Sequence, residues 1–568
     1  MYKALNIKWY YILLLACLIT LRFAYLDQDT PAYQLTNISQ EDEPYYSISA
    51  VLKLCNDDGR TVKGFERTKS EGLDMYNRLL TYSSLKIFGN NYWGLRIPDV
   101  IVSLLFLLLM FSVFNSISPG NKLSLLLMGI MATNFYLFAF SRYNNPQIFS
   151  VLAVTWVIWL IVKYGFENPL PLIALGFFAA FAVFFVYVMN FFLLAGVGLF
   201  VFIKAIQQKK TLLLVYFLTG IVLCFLAFFA GLHLIGSSLS IVVNKVISYG
   251  GGDNDILLAS GNIKALFQRG ITALTNTGFF RYQLPLLFVS LVVLPLLLIK
   301  AFKKNEKNGS ISLLILLILI CQVLQNFFAI SYPFKKMLVD LPVIMLLLFL
   351  VFNDFDLKTF VLKTSGKFLM LAWLLAAIVI CWFNYKTNKS PDYWNYNGVG
   401  CFGATPMWFN IINIGSCMTL AGIFIWGVLF NSYSYGKSAF TFLFVVSLLI
   451  NLVFTINVFI VNRKYEVRDC LVGLRPLINN KVVIEGFPLT YQLYTDCKPA
   501  LNGYEIDFID KPSNEVFNRM LANKQADFVI DKVMSGNPPY HKDYPALTLV
   551  KVCNFECYSY YVYKNSLE

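Results

Sequence analysis

A short acidic run at 41–43 contains the residues of this chain best suited to acid–base chemistry. The sequence there is Glu41-Asp42-Glu43, followed by Tyr46 and Ala50. Carboxylates at the start of a helix are stabilised by its partial positive charge, so an ordinary helix start is one interpretation. The other is that one carboxylate, near a low-dielectric boundary that shifts its pKa, acts as a general base. The run alone leaves both open.

A second group of charged residues falls in or beside apolar stretches, where an isolated charge is costly. Lys336 and Asp340 are four residues apart and would share one helix face, so they can simply pair. The alternative is that cations near the outer boundary bind an anionic lipid headgroup. The candidates are Arg22, Arg96, Asp99, Lys335, Lys336 and Asp340.

Other familiar sites are excluded by composition and spacing. The chain has two histidines, His233 and His541, too few for a His-based zinc site and unsuited to a His-dependent triad. Gly436-Lys437-Ser438 resembles the end of a P-loop, but position 431 is Asn and no strand precedes it.

The elements that must position these residues are membrane spans. Of 568 residues, 58% are hydrophobic and only 14% are charged, against about 25% charged in soluble domains. Runs of about 20 apolar residues cross a bilayer, and they must be helical there because lipid cannot pair with the backbone. We therefore predict an all-α polytopic bundle of about 13 transmembrane helices. The predicted spans are 9–26, 96–116, 122–140, 147–165, 168–184, 187–205, 211–235, 282–302, 310–330, 334–352, 366–385, 407–430 and 438–461.

The net charge of +14 is explained by topology. Lysine clusters at 3–8, 204–210, 300–307 and 358–367 all fall on one side of the predicted spans, which by the positive-inside rule is the cytoplasm. The N-terminus is then cytoplasmic and the C-terminal segment extracytoplasmic, in an inner or plasma membrane. A nucleic-acid partner is not expected.

This topology divides the chain into a membrane region, 1–461, and an extracytoplasmic α/β domain, 462–568. Within the membrane region, 27–95 is a first outer loop with amphipathic helices at 43–53 and 73–88, and 236–281 is a second large outer loop. The α/β domain has strand-like segments at 481–486, 526–531, 546–553 and 558–563, rich in Val, Ile, Tyr and Phe. A helix is predicted at 513–523, with Ser513 as its N-cap.

Six of the 11 cysteines fall in outer segments, where disulfides persist. Cys470 with Cys497, and Cys553 with Cys557, are plausible pairs by proximity in sequence, but four cysteines allow three connectivities and free thiols remain an alternative. The other two outer cysteines are Cys55 and Cys401.

The order of motifs resembles a known family. Asp42-Glu43-x-x-Tyr46-x-x-x-Ala50 follows the first span, 87–89 reads Ile-Phe-Gly, and 95–98 reads Leu-Arg-Ile-Pro. This order resembles the first outer loop of GT-C superfamily glycosyltransferases, in the branch of protein O-mannosyltransferases and lipid A aminoarabinose transferases (ArnT-like). Ser141-Arg142 with Pro146, and 332–342, resemble two further family segments.

The resemblance implies an enzyme that passes a sugar from a polyprenyl-phosphate carrier to an extracytoplasmic lipid, glycan or protein by single inverting displacement. Asp42 would be the base and Glu43 would orient it or bind the acceptor. Cations would bind the donor phosphate, and Tyr46 and Tyr332 would line the acceptor pocket. The phosphate-binding candidates are Arg142, Lys335 and Lys336, with Arg96 and Arg281 in reserve.

Two departures from the family pattern affect the expected cofactor. The region before the second loop helix reads Leu73-Asp74-Met75-Tyr76 instead of a Pro-Pro-Leu-like element, and Gln147 stands where many members have an acidic residue. No cofactor is therefore certain; if Mg²⁺ or Mn²⁺ is bound, Asp42 is its ligand. Besides membrane lipid, the polyprenyl-phosphate sugar and an unknown acceptor, no partner is expected, and the chain should be a monomer.

Two other functions fit the same pattern. A non-catalytic GT-C-like subunit of envelope glycan assembly would keep the fold without the chemistry. A lipid-linked sugar transporter would instead pair its polar residues near the bilayer midplane, whereas the charges here cluster near the outer boundary.

Overall fold

The computed structural model describes most of the predicted helical bundle and much of the C-terminal domain. The described residues are 16–17, 19–28, 75–143, 147–166, 168–186, 190–234, 239–240, 284–301, 307–328, 338–354, 364–387, 407–430, 436–461, 463, 465–485, 494–501, 518, 521–522, 525–534, 539, 544–555 and 558–566.

The helices follow the predicted spans closely. An N-terminal segment, residues 19–28, is helical at 19–23 and turns at 24–27. Two helices continue as short π-helices, α6 into Ala182–Val186 and α14 into Asn457–Val461. The helices are α1 Met75–Phe88, α2 Tyr92–Ile117, α3 Lys122–Thr133, α4 Phe135–Phe140, α5 Gln147–Tyr164, α6 Pro169–Phe181, α7 Phe191–Gln208, α8 Leu212–Leu234, α9 Leu284–Ala301, α10 Lys307–Phe328, α11 Asp340–Asp354, α12 Thr364–Thr387, α13 Met407–Phe430 and α14 Gly436–Ile456.

The predicted polytopic bundle is confirmed. In the part of the chain that the structure describes, 8 helices are long and apolar enough to cross a membrane, and shorter apolar helices accompany them, such as Lys122–Thr133 and Asp340–Asn353. The apolar stretch 168–205 forms two such helices, Pro169–Val186 and Phe191–Gln208. Many large apolar side chains on these helices are exposed, as expected where lipid is the solvent.

The predicted span 122–140 is broken at Asn134. The Asn134 side chain accepts a hydrogen bond from the backbone N–H of Leu137 at 3.0 Å and starts α4. The carbonyl of Thr133, the last residue of α3, accepts from the Thr455 hydroxyl at 3.0 Å. The helix therefore stops at Thr133 and starts again as the short helix α4. Ser141 and Arg142 follow directly on α4, which sets their position.

A tight turn joins α1 and α2. Gly89 has a φ of +90°, which favours glycine, and a Cβ on Gly94 would collide with the carbonyl oxygen of Gly89. The Asn91 side chain accepts from the Gly94 N–H at 2.9 Å and caps α2. Helix α1 confirms the amphipathic helix predicted at 73–88, whereas 43–53 lies outside the described residues.

The C-terminal domain is a helix packed on a five-stranded sheet. Helix α15, Glu466–Ile478, precedes strands β1 Val482–Glu485, β2 Lys498–Leu501, β3 Phe528–Met534, β4 Leu547–Asn554 and β5 Tyr558–Asn565. The sheet order is β2-β1-β3-β5-β4. Strand β1 pairs in parallel with β2 and β3, and β5 pairs antiparallel with β3 and β4. Each strand-like segment in the sequence has its strand, whereas α15 and β2 were not predicted and most of 513–523 lies outside the described residues.

The disulfide pairing predicted from proximity in sequence is wrong. Cys470 on α15 bonds to Cys553 on β4, with their Cα atoms 6.1 Å apart, and Cys497 is a buried thiol. The reason is packing: the apolar face of α15 lies on the sheet and brings Cys470 over β4. Three of the outer cysteines, Cys55, Cys401 and Cys557, lie outside the described residues.

Candidate functional site

Three buried arginines converge on the N-terminal segment, at the point where the chain leaves the bundle for the first outer loop. Arg22 lies in the segment itself, Arg96 in the first turns of α2, and Arg142 directly after α4. Each of the three side chains is 1% exposed. Since buried guanidinium groups need hydrogen-bond acceptors, their partners define what the cluster does.

Arg96 holds the end of the N-terminal segment. Its Nη1 donates to the carbonyl oxygens of Leu26 and Gln28, at 2.7 and 2.6 Å. The guanidinium carbon lies 4.1 Å from the centre of the Tyr92 ring and 4.7 Å from that of Tyr143, so the cation is also stabilised by two aromatic faces.

Arg142 holds the same segment one turn earlier. Its two Nη atoms donate to the carbonyls of Leu21 at 3.1 Å and Tyr25 at 2.8 Å. Burial is the main reason that the pKa of Arg142 is lowered to about 10; Tyr143 opposes this shift and Arg96 adds to it, and the side chain is still protonated at pH 7. A cation facing the final carbonyls of a helix is favourable for the helix dipole.

Arg22 completes the connection to α4. Its Nη1 donates to the Ser141 hydroxyl at 2.7 Å and its Nη2 to the Ala132 carbonyl at 3.3 Å. The Ser141-Arg142 pair is therefore bound to the N-terminal segment in both directions: Arg22 donates to Ser141, and Arg142 donates to the segment's carbonyls.

The C-terminal domain contacts the same segment. Asp27 forms an ion pair with Arg468 of α15, at 2.7 Å, and the two side chains are 29% and 27% exposed. The guanidinium of Arg463 lies 4.3 Å from the centre of the Tyr25 ring. Contacts to Asp469 and Asp27 raise the pKa of Arg468, although burial opposes them as the largest single effect.

A second contact joins the C-terminal domain to the α1–α2 turn. The Tyr494 N–H donates to the Asn90 carbonyl at 2.9 Å, and the Asn90 amide donates to an Asp496 carboxylate oxygen at 3.0 Å. The Tyr494 hydroxyl accepts from the Tyr92 N–H at 3.3 Å, and the two rings meet edge to face. The domain is thus attached to both ends of the first outer loop, 27–95.

Most of the predicted site residues lie outside the described residues. These are Asp42, Glu43, Tyr46, Arg281, Tyr332, Lys335 and Lys336. The structure brings Arg96 and Arg142 together, as the predicted site requires, but the hydrogen bonds given above run to backbone carbonyls. Those contacts anchor the segment that leads to Asp42; phosphate binding by either arginine stays a prediction.

Sequence reasoning did not single out Arg463 and Arg468. A signal was present, because Arg463, Lys464 and Arg468 follow the last span on the side that the positive-inside rule leaves poor in cations. Basic residues in such a place need a local partner, and Arg468 pairs with both Asp27 and Asp469.

Gln147, which replaces an acidic residue of the family pattern, begins α5 and is 2% exposed. Among the described residues, His, Cys, Asp and Glu side chains form no group of three that could hold a metal ion. Asp42, the predicted ligand of a divalent cation, is not among them.

Comparisons with known proteins support the resemblance inferred from sequence. Residues 78–232 match the family described as dolichyl-phosphate-mannose-protein mannosyltransferase. No curated protein sequence matches the chain.

Solved structures show the same fold. ArnT from Cupriavidus metallidurans in the apo state aligns with a TM-score of 0.58 and 12% identity over 97% of both chains. ArnT from the same organism bound to undecaprenyl phosphate aligns with a TM-score of 0.53 and 12% identity over 98% of both chains. The predicted ArnT-like architecture, a membrane bundle followed by a small domain with a sheet, is confirmed.

Proposed function

We propose that the chain is an integral-membrane glycosyltransferase that takes a sugar from a polyprenyl-phosphate donor and passes it to an extracytoplasmic acceptor. One observation carries this proposal: the fold matches ArnT over nearly the whole of both chains, and one of the matching ArnT structures holds undecaprenyl phosphate. The match of 78–232 to a mannosyltransferase family points to the same class of reaction.

The proposed reaction is a single inverting displacement. An acceptor oxygen attacks the anomeric carbon, the bond from that carbon to the phosphate oxygen breaks, and the polyprenyl phosphate leaves with the electron pair. Asp42 removes the acceptor proton, while Glu43 orients Asp42 or binds the acceptor. A phosphate leaving group needs no protonation, so a single carboxylate base suffices, unlike the two carboxyl groups of glycoside hydrolysis.

Cations would stabilise the charge that develops on the departing phosphate. The proposed phosphate ligands include Lys335, Lys336 and Arg281, which lie outside the described residues. Tyr46 and Tyr332 would line the acceptor pocket. Arg96 and Arg142 contribute first by holding residues 21–28, from which the chain continues to Asp42.

The proposal also includes an orientation and an oligomeric state. The N-terminus is cytoplasmic and the C-terminal domain extracytoplasmic, so that the loop carrying Asp42 faces the outer leaflet. The chain acts as a monomer.

The decisive test is transfer by the purified full chain in nanodiscs, with a labelled polyprenyl-phosphate sugar as donor. Asp42→Asn should lower kcat by about 100-fold or more, the contribution of a general base, whereas the neighbouring Glu41→Gln should keep most of the activity. Release of sugar by Asp42→Asn at the wild-type rate would contradict the role of Asp42. Repeating the assay with a chelator tests whether Mg²⁺ or Mn²⁺ at Asp42 is needed.

A non-catalytic role in envelope glycan assembly is the second candidate, and Gln147 in place of an acidic residue favours it. Under that role, Asp42→Asn would leave cellular function intact and the wild-type chain would transfer no sugar. A lipid-linked sugar transporter would move the labelled donor across the membrane without releasing its sugar.

A further inference from the structure

A cleft of about 440 Å³ lies where the C-terminal domain meets the α1–α2 turn. One wall comes from the end of α1 and the turn, including Lys86 and Asn90; the other comes from α15 and the chain before β2, including Arg475, Tyr494 and Asp496. The two walls are far apart in sequence, so only the folded chain creates this cleft.

Two basic residues, Lys86 and Arg475, line the cleft. Among the described residues, neither Lys86 nor Arg475 makes an ion pair; the Lys86 ammonium lies 5.7 Å from the centre of the Tyr82 ring. The carboxylate in the cleft, Asp496, accepts a hydrogen bond from the Asn90 amide at 3.0 Å. Two positive charges and one negative charge therefore line the cleft, and this net positive charge favours a bound anion.

Each cation also lies in the last turn of its helix, where it favours the helix dipole. That role accounts for a basic residue on each helix separately. It does not account for both side chains lining the same cleft, formed by two unrelated parts of the chain.

The cleft lies beside surfaces suited to lipid. Ile87 and Phe88, at the end of α1, are 73% and 48% exposed, and Trp93 in the first turn of α2 is 37% exposed. Exposed aliphatic and aromatic side chains next to a lysine on an amphipathic helix are typical of the lipid–water boundary. The anions that are abundant at such a boundary are lipid phosphates.

Tyr494 is an uncharged part of the cleft lining. Burial raises the pKa of Tyr494 to about 12, so the hydroxyl keeps its proton at pH 7. Tyr494 therefore adds no negative charge that would oppose a bound anion.

We propose that this cleft binds the phosphate headgroup of an anionic membrane phospholipid, with Lys86 and Arg475 pairing with the phosphate. The bound lipid fastens the C-terminal domain to the membrane surface beside the first outer loop. The inference depends on these residues alone and holds whether or not the chain transfers a sugar.

Native mass spectrometry of the delipidated full chain tests the site, with phosphatidylglycerol and phosphatidylcholine as probes. The wild-type chain should retain phosphatidylglycerol preferentially. Lys86→Gln and Arg475→Gln should each weaken phosphatidylglycerol binding by about tenfold, because each removes a charge-assisted hydrogen bond. Lys86→Arg, which keeps the charge, should retain binding. Lys564→Gln, a change of an exposed lysine outside the cleft, should bind as the wild type does.

Three results would overturn the proposal. The first is that the double variant, Lys86→Gln with Arg475→Gln, holds phosphatidylglycerol as tightly as the wild type. The second is that phosphatidylcholine binds equally well. The third is that inorganic phosphate at low concentration displaces the lipid, which would identify a site for free anions. Lys86 and Arg475 are both exposed, so unchanged thermal unfolding of the variants is expected and shows that lost binding is not lost folding.

Discussion

Arg142 shows how one side chain in this protein combines charge with a structural role. Its guanidinium bridges the carbonyls of Leu21 and Tyr25 while being 1% exposed. A lysine would keep the charge but has a single nitrogen at its end, which cannot reproduce a planar fork directed at two acceptors. Replacing Arg142 by lysine therefore distinguishes its anchoring role, which needs the planar fork, from phosphate binding, which needs the charge.

Arg142→Lys should lower the free energy of unfolding by roughly 1–3 kcal/mol, the cost of leaving a buried polar group without its partner. Thermal unfolding in detergent measures this change, with the exposed Arg463→Lys as a control expected to change little. If Arg142 also binds the donor phosphate, binding of undecaprenyl phosphate to the folded variant should persist, because lysine keeps the charge. Wild-type stability of Arg142→Lys would contradict the anchoring role.

At the scale of elements, the sequence predicted those helices and strands that have a local signal in periodicity or composition. The apolar runs gave the membrane helices, and the spacing of Leu79, Leu80 and Ile87 gave α1, now seen at Met75–Phe88. The short strand β2 was missed because its sequence, Lys-Pro-Ala-Leu, contains proline and no run of β-branched residues. Helix α15 was missed because it follows directly on the last span and carries several charges.

Sequence did not predict contacts between distant elements. Arg22 reaches Ser141, Arg96 reaches Gln28, and Cys470 bonds to Cys553, yet no local pattern links either member of these pairs to the other. The acidic run at 41–43 and the basic residues at 335–336 remain predictions, because their positions lie outside the described residues.

Close packing between α6 and α8 depends on two glycines. A Cβ on Gly176 of α6 would collide with the Phe217 carbonyl of α8, and one on Gly220 of α8 would collide with the Ile173 carbonyl of α6. Small residues that let helix backbones approach are typical of membrane interfaces. The two glycines act reciprocally, each admitting the backbone of the other helix.

Gly176→Ala and Gly220→Ala should each lower stability by about 1–3 kcal/mol, since overpacking forces the helices apart. Gly422→Ala is the matched control, because a Cβ at that position on α13 meets open space. Fluorescence-detected size exclusion after heating compares the three variants. Equal melting of all three would show that the α6–α8 distance is not set by these glycines.

At the scale of the whole molecule, the C-terminal domain contacts the first outer loop, 27–95, close to each of its two ends. Asp27 pairs with Arg468 at the start of the loop, and Asn90 bonds to Tyr494 near its end. The domain therefore fixes both ends of the segment that carries Asp42. A partly exposed ion pair contributes about 0.2–1 kcal/mol, so its value lies in positioning rather than in stability.

The disulfide between Cys470 and Cys553 can be used to test on which side of the membrane the C-terminal domain lies. Disulfides persist outside the cytoplasm, so this bond agrees with the proposed extracytoplasmic location of the C-terminal domain. In chain taken from cells without reduction, Cys470 and Cys553 should resist alkylation and be joined in one peptide by mass spectrometry. Cys470→Ser should leave Cys553 open to a thiol reagent after unfolding. Full alkylation of both cysteines in the unfolded, unreduced wild type would place the domain in a reducing compartment.

The ion pair between Asp27 and Arg468 can be measured directly by a double-mutant cycle. Asp27→Asn and Arg468→Gln should each lower transfer activity more than they lower melting temperature, because each loosens the start of the loop without opening the core. The charge-swapped pair, Asp27→Arg with Arg468→Asp, should recover part of the activity, since it restores an ion pair across this partly exposed contact. Recovery should be partial because the native Arg468 also pairs with Asp469. Arg463→Gln, which removes a contact to the Tyr25 ring but no ion pair, is the control. If activity follows melting temperature in every variant, the contact serves folding alone and the domain does not position the loop.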